Sequence, residues 1–383
     1  MSVLSSLGFK QSQADACLWT LRKGKSFIHY AYHVDDILCV SNDNVWRDSV
    51  FKKLKESGLR IRDEGDCSMF VGLNIMRNDD RTISISQEHY IEELAKRFNI
   101  TKDAKPVDCP FQSGQRLSKD DLPQTPKEEF DAAQLPYPSL IGGLLYAVKT
   151  RPDIAYVVSD LAAYMQRWGR DHFKAALRVL RYLYSTKSKA LVLNPAKSNT
   201  FFITAYCDAN YGDTRNSGNE DKYKPQGGYL IFMNDALVAW QSKRHVSRPH
   251  SSMESEFVEA DHTGKSVMWW RHLMNDLGYP QSSPTIMYED NKSCIDFVKM
   301  NMNSQRSRHI DMRMYWLRDW VKEGSIELWH VLTQYQLADI LTKYQPVHMF
   351  KRMANEIMTT RCIPPHEAHA SCRYHKHSEM KID

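Results

Sequence analysis

From 201 to 208 the chain reads Phe-Phe-Ile-Thr-Ala-Tyr-Cys-Asp. This apolar, β-branched and aromatic run predicts a buried strand ending in an acid, and Ala-Asn-Tyr-Gly-Asp follows as turn chemistry. Two more strands are expected over 228–233 and 237–241, joined by Asn234-Asp235-Ala236 as a hairpin. Apolar positions then recur with helical period over 252–277, through Met253, Phe257, Ala260, Gly264, Val267, Trp270 and Met274, and Gly278 closes the helix. A short strand over 285–288 runs into Glu289-Asp290-Asn291. Helices over 292–300 and 311–322, a strand over 326–332 and a last helix beginning near Gln336 complete the pattern.

Upstream the pattern is different. Two apolar runs over 27–40 are broken by Asp35-Asp36, which predicts a buried β-hairpin with both acids at its tip. Helix spacing appears over 46–58 and 90–98. Over 101–138 periodicity is lost and prolines gather (Pro106, Pro110, Pro123, Pro126, Pro136, Pro138), as in a linker or extended connection. A helical block follows over 139–186, and its third helix places Arg170, Lys174, Arg178 and Arg181 at helical spacing opposite its leucines. Such a stripe is either a solvated face or a surface for a polyanion.

Composition adds little to this picture. With 42% hydrophobic and 25% charged residues the chain is of ordinary globular type, and 383 residues suffice for two or three domains. A net charge of +5 is compatible with a polyanionic partner without requiring one. The eight cysteines form no Cys-x-x-Cys pair, which points to reduced thiols inside a cell. Neither a signal peptide nor an apolar run long enough for a bilayer is present, so the expectation is a soluble, unsecreted protein, cytoplasmic or nuclear, without a membrane partner.

The acids of the second half carry the chemistry. Asp208 and Asp290 end two expected strands, Glu254 lies in the first turn of the long helix, and Asp339 lies near the start of the last one. Each has an ordinary alternative: turn chemistry for the two strand ends, a capping box with Ser251 for Glu254, a favourable helix N-terminus for Asp339. Four carboxylates in one cleft would suit two Mg²⁺ or Mn²⁺ ions, the arrangement that hydrolyses phosphodiesters. Glu256 falls two residues past Glu254, on another side of the helix, and is left outside the expected site. Asp311 in His309-Ile-Asp311 is likewise left outside, as a helix start.

Several of these stretches resemble Ty1/copia-class LTR retrotransposon polyproteins. Tyr32-His33-Val34-Asp35-Asp36 is similar to the Tyr-x-Asp-Asp box of their reverse transcriptases, and Leu7-Gly8-Phe9-Lys10-Gln11-Ser12 and Phe70-Val71-Gly72-Leu73 extend the likeness. Thr150-Arg151-Pro152-Asp153 and Leu177-Arg178-Val179-Leu180-Arg181 resemble the thumb and connection region. Ala205-Tyr206-Cys207-Asp208, Ser251-Ser252-Met253-Glu254-Ser255-Glu256-Phe257, Asp290-Asn291-Lys292-Ser293 and Gln336-Leu337-Ala338-Asp339 resemble the ribonuclease H region that follows.

The resemblance implies a mixed α/β chain: a partial reverse transcriptase palm over 1–100, a linker over 101–138, a helical thumb or connection over 139–190, and a ribonuclease H-like domain with a mixed five-stranded sheet over 200–346. A poorly ordered tail is expected over 347–383. Carried over by position, Asp208, Glu254, Asp290 and Asp339 become metal ligands acting on an RNA/DNA hybrid. The basic stripe then faces nucleic acid, and Asp35-Asp36 is a remnant polymerase box. His33 stands where the family has the Tyr of that box, and Met1 falls downstream of the family's other metal-binding Asp, so polymerisation by this chain is not expected. Cys362, His366, His369, Cys372, His375 and His377 match no common zinc spacing. Three readings remain: a metal-dependent nuclease, an inactive retroelement relic that binds nucleic acid through its basic helices, or part of a longer polyprotein whose upstream sequence supplies the missing Asp.

Overall fold

The computed structural model describes residues 2–112, 114, 117, 121–193, 201–211, 224–246, 249–300 and 316–358. The expected start of the 311–322 helix, His309, Asp311 and the Cys/His cluster of the tail lie outside these residues.

The chain begins with helix α1 (Ser2–Ser6) and a four-stranded meander of β1 (Lys10–Gln11), β2 (Leu18–Lys23), β3 (Ser26–His33) and β4 (Asp36–Ser41). Helix α2 (Asn44–Glu56) packs Val50 and Leu54 against Trp19, Ile28 and Tyr30. Its N-terminus is capped by Asp43, whose carboxylate accepts the Trp46 N–H at 3.0 Å. The hairpin exists as expected, but its tip is not buried. Because β4 is the edge strand and carries no covering layer, Asp35 and Asp36 are both exposed.

A second four-stranded sheet contains β5 (Met69–Phe70), β6 (Leu73–Arg77), β7 (Ile83–Ser86) and, from much later in the chain, β8 (Leu191–Leu193). Helix α3 (Glu88–Arg97) follows β7. The described residues of 101–138 are not a free linker. Cys109, Phe111 and Leu117 are buried in the main core, and α4 (Pro126–Ala133) opens on a Thr125–Glu128 capping box. Proline and charge hid these anchors because isolated apolar residues show no period.

Helices α5 (Tyr137–Ala147), α6 (Ala155–Ala162) and α7 (Arg170–Ser185) form the expected helical block. Between them Arg151, fully buried, grips Asp153 with two hydrogen bonds of 3.0 and 2.8 Å. Tyr182 donates to the same carboxylate at 2.6 Å.

The third sheet has five strands in the order β11-β10-β9-β12-β13, with β9 (Ile203–Asn210), β10 (Gln226–Met233), β11 (Ala236–Arg244), β12 (Thr285–Glu289) and β13 (Ile326–His330). The β9-β10-β11 part is antiparallel, and β9, β12 and β13 run parallel, which is the mixed sheet that the ribonuclease H resemblance implies. One face is covered by α8 (Ser252–Asp276), α9 (Lys292–Lys299) and α10 (Trp316–Lys322), through Phe257, Ala260, Val267, Ile295 and Leu317. The other face shares its core with the helical block, so the segments on either side of 190–200 are packed as neighbouring layers.

Two elements depart from expectation. The last helix of the sheet unit is a 3₁₀ turn, Leu337–Leu341, tethered by Gln336, whose buried amide donates to the Cys207 carbonyl at 2.8 Å. Beyond it the tail opens with an ordered helix, α11 (Val347–Met358), burying Phe350, Met353, Ala354 and Ile357. Its Phe350 ring meets those of Phe111 and Tyr182 edge to face at 5.3 and 5.8 Å. Among the described residues no helix is long and apolar enough to cross a membrane, and Cys17, Cys39, Cys67, Cys109, Cys207 and Cys294 are free thiols.

Candidate active site

Asp208 sits near the end of β9, a strand buried along almost its whole length between β10 and β12. In the register it faces Gly228 on β10. A side chain at that glycine would collide with Leu341, a Cβ lying 2.6 Å from the Leu341 Cβ, so the bare backbone lets the 3₁₀ turn settle over the strand end. That turn carries Asp339 to Asp208. Thr342 donates its hydroxyl to the Asp208 carboxylate, and Lys343 Nζ lies 2.7 Å from Asp339 and 3.8 Å from Asp208.

On the other side, α8 presents Glu256. The carboxylates of Asp208, Glu256 and Asp290 converge, with their oxygens within 4.8 Å of one another. Glu256 is fixed by accepting the Ala209 N–H at 2.7 Å. Asp290 follows β12 directly and is half-buried. Behind it Glu289, wholly buried, accepts the Asn291 N–H at 3.0 Å.

Three of the four acids expected from sequence, Asp208, Asp290 and Asp339, are therefore brought together, and the fourth is not. Glu254 lies two residues nearer the helix start, where its amide donates to Ser251 Oγ at 3.1 Å and its carboxylate accepts the His250 N–H at 2.7 Å. It is a capping residue, and Glu256 stands in the place assigned to it. The sequence contained the signal: Glu256 shares the spacing of Ala260, Thr263 and Val267, all buried, whereas Glu254 is two residues, about 200° of helix, away from it.

The electrostatics are those of crowded carboxylates short of cations. Burial, and after it the Asp208 charge, pushes the Glu256 carboxyl well above its ordinary range, and burial does the same to Glu289. Burial also raises Asp208, against the opposing pull of Lys343 and the Thr342 hydroxyl. Asp339 is pushed up to about 8 by burial and then by Asp208. Burial acts to lower Lys343, but the Asp208 and Asp339 charges override it and raise it. Such a set gains from a hard divalent cation, for which carboxylate oxygens are the preferred donors.

The other expected sites are dispersed. Among the described residues no third acid, His or Cys joins Asp35 and Asp36 in a cluster. In the basic stripe, Arg170 pairs with Asp131 at 3.3 Å and Lys174 with Asp171 at 2.8 Å, both exposed. Arg181 donates to the Lys105 carbonyl at 2.7 Å, and Arg178 lines a cavity with Asp121 and Asp171.

A family model described as reverse transcriptase (RNA-dependent DNA polymerase) matches residues 1–113. The chain is similar to the retrovirus-related Pol polyprotein from transposon TNT 1-94 of Nicotiana tabacum, with 33% identity over 91% of this chain and 26% of the relative. It is also similar to that from transposon RE1 of Arabidopsis thaliana, with 30% identity over 94% of this chain and 24% of the relative. Against the putative transposon Ty5-1 protein of Saccharomyces cerevisiae identity is 30%, over 68% of this chain and 81% of the relative. The chain spans about a quarter of the length of the two plant polyproteins.

Proposed function

The chain belongs to the copia-type retrotransposon Pol polyproteins and carries a reverse transcriptase domain, and from that premise we propose that its five-stranded unit is a metal-dependent ribonuclease H. On this reading it hydrolyses the RNA strand of an RNA/DNA hybrid. The observation that carries the reading is the convergence of the Asp208, Glu256 and Asp290 carboxylates within 4.8 Å, with Asp339 joined to Asp208 through Lys343.

The donor set fits Mg²⁺ or Mn²⁺: oxygens only, on a rigid sheet end and a rigid helix. Bound there, such ions supply an activated water and charge neutralisation at the leaving oxygen. The chain's own residues do the rest. Ala209 N–H holds one Glu256 oxygen and aims the carboxylate at Asp208. Thr342 orients Asp208, and Lys343 bridges the Asp208 and Asp339 carboxylates.

The nuclease reading is tested on a hybrid labelled in the RNA strand, with the whole chain in Mg²⁺ or Mn²⁺. RNA-strand cleavage by the wild type and none above background by Asp208→Asn supports it. Equal rates for the two proteins remove it and leave nucleic-acid binding without turnover.

A further inference from the structure

A second cluster of ligand-type side chains lies one helical turn along α8 from Glu256. Glu259 and His262, three residues apart on that helix, converge with His245, which follows the end of β11. His245 Nε2 is 2.9 Å and His262 Nδ1 3.7 Å from the same Glu259 oxygen, Oε2. Tetrahedral zinc bonds of about 2.0–2.2 Å place neighbouring donor atoms roughly 3.3 Å apart, so the two observed separations bracket that value. From this geometry we infer that His245, Glu259 and His262 form a binding site for a divalent transition-metal ion of the zinc class, distinct from the carboxylate cluster.

Four features support a site over an ordinary buried His–Glu pair. First, Glu259 is almost wholly buried and its second oxygen, Oε1, has no hydrogen-bond partner; the buried His245 Nδ1 has none either. An unpartnered carboxylate oxygen in the interior is costly, and a cation between the three side chains would meet it. Second, a Cβ on Gly227 would collide with Glu259 Oε2 and His245 Nε2. The β10 backbone thus walls one side of the donor atoms at close range, and only glycine permits it. Third, His245, Glu259 and His262 all line a cavity of about 240 Å³, and the His262 side chain is 46% exposed. An entry path and room for a water as fourth ligand are both present. Fourth, two of the neighbouring cations are neutralised by other partners, Arg244 by Asp160 at 3.2 Å and Lys265 by Asp261 at 2.5 Å, while Lys243 is exposed to solvent.

The donor types separate this site from its neighbour. Two imidazoles with one carboxylate suit Zn²⁺ or Co²⁺, whereas the all-oxygen set of Asp208, Glu256 and Asp290 suits Mg²⁺. An ion here would pin α8 to the end of the β10–β11 hairpin and so steady the helix that carries Glu256. The inference does not depend on the nuclease reading.

The test is Zn²⁺ titration of the full, tag-free chain after chelation, with Co²⁺ as a spectroscopic probe. The wild type should take one tight equivalent of Zn²⁺, and Co²⁺ should give visible ligand-field bands without the intense near-ultraviolet thiolate band that the tail cysteines would add. His262→Ala, at a half-exposed position that should not disturb folding, and His245→Gln should each weaken that equivalent by roughly 100-fold or more, since even outer partners of metal ligands are worth about 10–100-fold. Asp290→Asn should leave it intact. Wild type without the equivalent, a thiolate band, loss of the equivalent in Asp290→Asn, or wild-type binding by both histidine variants would each overturn the site.

Discussion

The Glu256 carboxylate accepts the backbone N–H of Ala209 at 2.7 Å, the residue next to Asp208, and this bond ties the start of α8 to the end of β9. It decides which acid of the Glu254-Ser255-Glu256 run enters the cluster. Glu254, bonded to His250 and Ser251, has a different job. Glu254→Gln is expected to cost about 1 kcal/mol, as for a weakened cap, seen as a lower denaturant midpoint with unchanged slope.

The buried Arg151–Asp153–Tyr182 group is a stability determinant far from the acids. Arg151→Met should destabilise the chain by roughly 3–5 kcal/mol, because it leaves Asp153 charged, buried and held by Tyr182 alone. Thermal or urea unfolding measures this, and a loss under about 1 kcal/mol would mean that water replaces the guanidinium.

The acid cluster predicts an unusual pH dependence. Asp339, pushed up to about 8 in the folded chain, lies above its ordinary value of 3.8, so its contribution to stability is full below the ordinary value and is lost as pH rises through 8. Metal-free protein should therefore lose melting temperature between about pH 4 and 8, the interval in which the unfolded carboxyl is ionised and the folded one is not. Asp339→Asn should flatten that decline, and Mg²⁺ should restore stability at the alkaline end. A flat profile for the metal-free wild type would contradict the crowding described.

Among the basic residues, Arg170 and Lys174 are the exposed pair and have only surface partners. If hybrid binding uses this face, the Arg170→Gln/Lys174→Gln double variant lowers the slope of log affinity against log salt by about 0.9 for each phosphate it no longer neutralises. An unchanged slope would return the stripe to a solvated face.

Much of this architecture was legible in the sequence. Strand alternation and turn residues located β9 to β13, and the acids at 208, 290 and 339 were picked out by their places at element ends. Glu256 was missed for a physical reason. From Ser255 to Asp261 α8 is buried without a break, so polarity there does not mark a solvent face, and Glu254 has the capping-box spacing besides. The tail helix had a readable stripe in Val347, Phe350, Ala354 and Ile357, obscured by the Cys/His-rich residues after it. The exposed Asp35–Asp36 tip shows the opposite error, since apolar strands bury a hairpin only when a second layer covers them.

The most direct test of the central claim compares Glu256→Gln with Glu254→Gln in the RNA-strand cleavage assay in Mg²⁺. The account predicts that Glu256→Gln lowers the rate by roughly 10³-fold, several kcal/mol of lost charge stabilisation, while Glu254→Gln stays within about threefold of wild type. The reverse pattern, or two variants both as active as wild type, would contradict it.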